Sequence, residues 1–215
     1  MSTVLSDLPQ LPGAQYEDAT RYATSMAEVR ERLTIARRTI AAVKAAGSED
    51  VVSIETIFIQ FRKCLELIVF GSLIANRDIY SQQYTDYQND GRAKKLVEHL
   101  RKLNPDFYPV PVSAPVSTGH RTFSLAAATE PYLTDADLVR LFDISSRILH
   151  IRNPFSQEPV THNLGFSVDE WADRIQALLR WHFIQQLNGP RWLVQIPESG
   201  KVHVYPGLPS GPVMP

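Results

Sequence analysis

Apolar residues in the first half of the chain recur at intervals of three and four, the spacing that lines one face of an α-helix. From Tyr16 to Ala46, Met26, Val29, Leu33, Ala36, Ile40 and Val43 keep this rhythm, while Arg30, Arg37 and Lys44 take another face. The heptad-like seam predicts helix pairing, within one chain rather than across a dimer, because a true coiled coil needs sustained heptads. Gly47 stops this helix, Ser48 is positioned to cap the next, and the two form an antiparallel hairpin. The second helix, Ser53 to Asn76, is the most apolar stretch of the chain. Ile54, Ile57, Phe58, Phe61, Leu65, Ile68, Val69 and Leu73 line one face, and other apolar residues stray onto the flanks, so it is expected to be buried on most sides. Arg62 and Glu66 sit four apart beside that stripe, and charges in such a place want partners.

Beyond Asn76 the chain turns polar and tyrosine-rich, with Tyr80, Tyr84 and Tyr87 at helical spacing; packing at the domain rim is favoured over base stacking. A helix follows from Arg92 to Leu103, its Ala93, Leu96, Val97, Leu100 and Leu103 inward and its Arg92, Lys94, Lys95, Arg101 and Lys102 outward. This is the one locally basic element, read as a solvated face or as a phosphate-contacting one. Residues 104–133 are too rich in proline to continue a helix, and their alternation permits a short hairpin with its turn near Ser117 to Gly119. Insertions this long serve as lids, binding loops or partner surfaces, or decorate an edge.

Thr134 with Asp137 makes an acidic capping box for a helix whose face runs through Leu138, Leu141, Ile144 and Ile148 to His150, with Pro154 as its stop. Ser167 and Glu170 make a second box, for a helix expected over Val168 to Leu187 with Trp171, Ile175, Leu178, Leu179, His182, Phe183 and Leu187 inward. The segments RWLVQI and KVHVYP then read as a hairpin around a PESG turn. The fold class expected is all-α: an antiparallel helical bundle over 16–190, with the 104–133 insertion, a flexible arm over 1–15, and a small C-terminal β-hairpin and tail over 191–215.

Composition narrows the function classes. The chain has 215 residues, a formal net charge of -1 and 21% charged residues, an ordinary soluble balance with no global appeal to nucleic acid or an anionic membrane. No secretory leader is recognisable at the N-terminus, and the most apolar run falls short of the ~20 residues of a membrane helix. Cys64 is the single cysteine, so no disulfide forms within the chain; a core role and a cytoplasmic location are expected, without a membrane partner. Gly-rich phosphate loops and the GxSxG elbow are missing, no two histidines stand at i, i+4, and Cys64 has no CxxC partner, so neither a metal nor a cofactor is expected.

One polar constellation remains. If the helix bearing Arg62 and Glu66 faces the helix ending in Ser146 to Phe155, the pair approaches Arg147, His150, Arg152 and Asn153. The alternative is a structural network that holds register without chemistry. Long paired helices, an RxxxE-like pair and an Arg, His, Asn cluster near the end of a later helix resemble the HEPN superfamily, over about residues 20–187. That resemblance implies an all-α, often dimeric domain of bacterial defence or toxin-antitoxin systems, many of whose members are metal-independent ribonucleases. Arg152 and Asn153 match the start of the family's catalytic motif, but the next histidine is His162, too far along, and Arg147 to His150 is too short. A non-catalytic binding or regulatory protein, with RNA or a partner protein as ligand and a homodimer as its assembly, is therefore the better fit. In a ribonuclease, the alternative, His150 would serve as general acid or base, Arg152 or Arg147 would stabilise the phosphorane-like charge, and Asn153 would position the ribose. A third alternative is an assembly protein with no ligand site, gripping its partner through the insertion and the hairpin.

Overall fold

The computed structural model describes residues 13–48, 50–83, 93–119, 122–151, 155, 163–187, 189 and 191–208. Two long helices, α1 (Gly13–Ala46) and α2 (Val51–Ala75), form the expected antiparallel hairpin. Gly47, at φ 64°, ends α1 in a left-handed conformation that glycine adopts without a Cβ penalty. The N-cap of α2 is Asp50 rather than Ser48, its carboxylate accepting from the Ser53 backbone N–H at 2.9 Å. Tyr22, Met26, Val29, Leu33, Ala36 and Ile40 make the buried stripe of α1. The helices meet closely at Gly71, where a Cβ would stand 2.9 Å from Met26 Cε and 3.1 Å from the Tyr22 ring.

Two shorter helices, α3 (Arg77–Gln83) and α4 (Ala93–Leu103), continue the chain, α4 burying Leu96, Val97 and Leu100. Residues 104–133 hold β1 (Val110–Pro111) and the hairpin of β2 (Val116–Gly119) with β3 (Thr122–Ser124). Ser117 to Gly119, near which the hairpin's turn was expected, are therefore strand residues. Helices α5 (Asp135–Leu149) and α6 (Val168–Leu179) begin at the two capping boxes expected for them. The chain then enters β4 (Trp181–Gln185), β5 (Arg191–Gln195) and β6 (His203–Leu208).

The all-α expectation is overturned here. The strands form an antiparallel sheet in the order β1-β4-β5-β6, so the protein is a mixed fold of helices and sheet, and the small C-terminal hairpin is one half of that sheet. The error lies at Trp181 to Gln185, assigned by periodicity to a helix running to Leu187. β4 is a central strand, paired with β1 through Val110↔Phe183 and with β5 through His182↔Val194 and Ile184↔Trp192. His182, Phe183 and Ile184 are all buried, because both faces of the strand are covered. A strand buried on both faces loses the alternation that marks it, and so short an apolar run carries no decisive period.

The two faces of the sheet have different neighbours. Ile184, Trp192 and Val194 join the main core with Tyr22, Phe58, Phe61, Leu65 and Trp171 from the helices. Phe183 and Leu193 pack on the other side against Val112, Leu125, Trp181 and Tyr205. The proline-rich insertion is thus built into the sheet: it supplies β1 and part of the cover over the far face. Residues 13–15, expected in the flexible arm over 1–15, belong instead to the first turn of α1; residues 1–12 and 209–215 lie outside the described residues.

Candidate functional site

Arg62 and Glu66 pair with each other, as the structural alternative expects, and Arg62 reaches α5, but at Ser146 and Phe142 rather than at Arg147 or His150. Arg62 Nε donates to Glu66 Oε1 at 3.3 Å, its Nη1 donates to Ser146 Oγ at 3.0 Å, and its guanidinium stacks over the Phe142 ring 4.6 Å from the centroid. Lys63 Nζ donates to the other Glu66 oxygen at 2.8 Å. Arg62 and Glu66 keep 33% and 22% of their side-chain surface exposed. The arrangement is that of a network fixing the register of α2 on α5. Arg147 and His150 are exposed at the end of α5, and neither is among the partners of this network. Arg152 and Asn153 lie outside the described residues. On the basic helix, Lys95, Arg101 and Lys102 are exposed, and Arg101 donates to Asp135 at 2.8 Å. Arg92 and the side chain of Lys94 lie outside the described residues.

The buried titratable groups also act as structure. His182 Nδ1 lies 3.0 Å from the Leu179 carbonyl, which can only accept, so Nδ1 carries the proton and Nε2 accepts from the Tyr22 hydroxyl at 2.7 Å. Burial lowers the His182 pKa to about 4 and raises that of Tyr22 far above its usual value. A neutral imidazole therefore ties the first strand residues after α6 to α1. Cys64 is buried, with its pKa pushed up to about 12, which removes the thiolate that nucleophilic or metal-binding chemistry needs. A second network joins the ends of three elements. Asn76 Oδ1 accepts from Asn104 Nδ2 and from the Leu187 N–H, each at 3.0 Å, while Asn76 Nδ2 donates to the Ser72 carbonyl at 2.9 Å. Among the described residues no cluster of three or more His, Cys, Asp or Glu is placed to hold a metal ion, and no helix is long and apolar enough to cross a membrane.

A groove of about 380 Å3 opens between α1, the end of α6 and the adjoining strands. Its floor is apolar, formed by Val29 and Leu33 of α1, Leu179 of α6, Trp181 of β4, and Ile196 with Pro197 after β5. Its polar wall carries Arg30, Thr34 and Arg37 from α1, Gln176 and Arg180 from the other side, and Gln195 from β5. Helix geometry explains the convergence: Arg30, Thr34 and Arg37 are spaced by four and three and share a face, next to the stripe of Val29 and Leu33. Ion pairs between Lys44 and Asp169 and between Arg37 and Asp173, each 2.8 Å, hold α1 against α6. Arg37 Nη2 also donates to Gln176 Oε1 at 2.7 Å. Arg30 Nη1 donates to the carbonyls of Pro197 and Gly200, at 3.2 and 2.8 Å, fixing the β5–β6 turn over one end of the groove. Arg180 pairs with Glu130 at 3.3 Å.

None of these groove residues belongs to the constellation expected from sequence. The signal for two of its polar residues was present, since Arg30 and Arg37 lie on the basic face of α1. Its counterpart was hidden because Gln176, Arg180 and Gln195 come together only through the α6-to-β4 break. No protein-family model, curated protein or solved structure matches this chain.

Proposed function

We propose that the protein is a non-catalytic binding or regulatory protein, acting in the cytoplasm, whose ligand seats in the groove between α1, α6 and the sheet. The observation that carries this reading is the convergence of guanidinium and amide groups from two helices and a strand over an apolar floor. Ligand sites have this composition: mostly apolar walls, a few convergent polar groups, and volumes of roughly 300–1,000 Å3. Apart from Glu198, the charged and amide groups around the groove are guanidiniums and carboxamides, which bind rather than act as acids, bases or nucleophiles, and this supports the non-catalytic role.

A screen of neutral and charged small fragments, read by NMR on the full chain and repeated on Thr34→Trp and Gln176→Trp, tests the reading. Either substitution inserts an indole into the groove from a partly exposed helix position. Fragments that perturb the wild type and are lost in both variants support it. A hit list unchanged by both substitutions refutes it.

A second reading, contact with RNA, is favoured by one observation: Lys95, Arg101 and Lys102 share the outer face of α4 and are exposed. RNA affinity through this face would fall steeply with salt, and Lys95→Gln with Lys102→Gln would flatten that dependence. An unchanged salt slope in the double variant rules the face out.

A further inference from the structure

We infer that the groove binds a small amphipathic monoanion, a carboxylate carried on a compact aromatic or branched aliphatic body. This rests on the groove being the ligand site, and it commits to what the ligand is. Among the described lining residues there are three guanidinium groups, Arg30, Arg37 and Arg180, against one carboxylate, Glu198, so the interior is positive. The carboxylates that compensate Arg37 and Arg180, Asp173 and Glu130, line the neighbouring hollow instead, on the far side of Gln176 and Arg180.

Those ion pairs do not close the site. Asp173 and Glu130 keep 65% and 59% of their side-chain surface exposed, and exposed pairs contribute only about 0–1 kcal/mol. A ligand carboxylate lying against the apolar floor, where water is partly excluded, makes the stronger pair with a guanidinium fork. Arg30 is engaged most weakly: its Nη1 is spent on two backbone carbonyls, which carry no net charge, and its ion pair with the exposed Glu31 is 3.5 Å long. The apolar body of the ligand is set by the floor, where Val29, Leu33 and Leu179 are buried beside Trp181 and Ile196.

The same carboxylates limit the charge of the ligand. Glu198 on the lining, with Asp173 and Glu130 just beyond it, would face the second charge of a phosphate monoester or the row of charges on a nucleic acid. A monoanion sets one charge against these carboxylates where a phosphate monoester or a nucleic acid sets two or more.

Calorimetric titration of the full chain with 1-naphthoate, 1-naphthamide and 1-naphthyl phosphate tests the assignment, with Arg37→Gln, Arg180→Gln and Thr34→Trp as variants. Naphthoate is expected to bind about tenfold or more tighter than the neutral amide and than the phosphate. Each arginine substitution should cost it about tenfold while leaving the amide unchanged, and Thr34→Trp should abolish it. Amide or phosphate binding as tight as that of naphthoate, lost in Thr34→Trp, overturns the monoanion while the groove stands as a site. Binding that survives Thr34→Trp overturns both. No naphthoate binding at about 1 mM overturns the ligand class, and the fragment screen then decides the groove separately.

Discussion

Acidification should destabilise this protein through His182. The imidazole is fully buried, sandwiched between the Leu179 carbonyl and the Tyr22 hydroxyl, with its pKa lowered from 6.5 to about 4. An unfolded chain takes up the proton near the ordinary 6.5, so as pH falls the unfolded state binds it first. The stability contributed by the neutral imidazole is complete above about pH 6.5 and is lost as pH falls toward 4. At about 1.4 kcal/mol per unit of pKa difference, the loss across that window is about 3 kcal/mol, a large share of the ~5–15 kcal/mol that holds a typical domain together. His182→Asn provides the control, because its amide can still donate to the Leu179 carbonyl but cannot titrate. At neutral pH the variant leaves the buried Tyr22 hydroxyl without its acceptor, costing about 1–3 kcal/mol. Denaturant unfolding of both proteins from about pH 7.5 to 4.5 should show the gap between them closing by about 2–3 kcal/mol. If the two curves stay parallel throughout, His182 is not held neutral and the account of this contact is wrong.

Three further outcomes probe the packing around the site. Gly71→Ala should lower stability by about 1 kcal/mol in denaturant unfolding, the clash with Met26 and the Tyr22 ring outweighing the gain in helix propensity; a stabilised variant would show that the two long helices are not in close contact there. Asn76→Ala removes the acceptor for both Asn104 and the Leu187 N–H, and should cost about 2–4 kcal/mol, with faster amide exchange at Leu187. Arg62→Met keeps most of the contact with Phe142 while removing a partly exposed ion pair, so thermal unfolding should report a loss of about 1 kcal/mol; a loss of ~3 kcal/mol or more would mean that the pair behaves as a fully buried one.

Helix starts were the most legible features, because their signals are local. Thr134 with Asp137 and Ser167 with Glu170 each satisfy backbone donors within three residues, and both boxes are present as read. The stripes of α1 and α2 were equally plain, since a face of a helix is written in consecutive turns. Helix ends were harder. Nothing adjacent to Leu179 forbids another turn of helix; α6 stops there because the next five residues have strands waiting on both sides. The polar constellation of Arg62 and Glu66 was placed on the correct pair of helices, yet its partners there are Ser146 and Phe142, about one and two turns before His150.

The sequence alone therefore determined the paired long helices, the capping boxes of α5 and α6, the core cysteine and the basic face of α1, all of which depend on residues a few positions apart. Only tertiary structure decided that Trp181 to Gln185 is a strand, that the proline-rich insertion is part of a sheet, and that Arg30 meets Pro197, 167 residues away, at the mouth of a groove. Hydrogen bonds between strands and the convergence of side chains over a common floor are long-range properties. They are settled by which surfaces the packed chain must cover, and no local window of the sequence contains them.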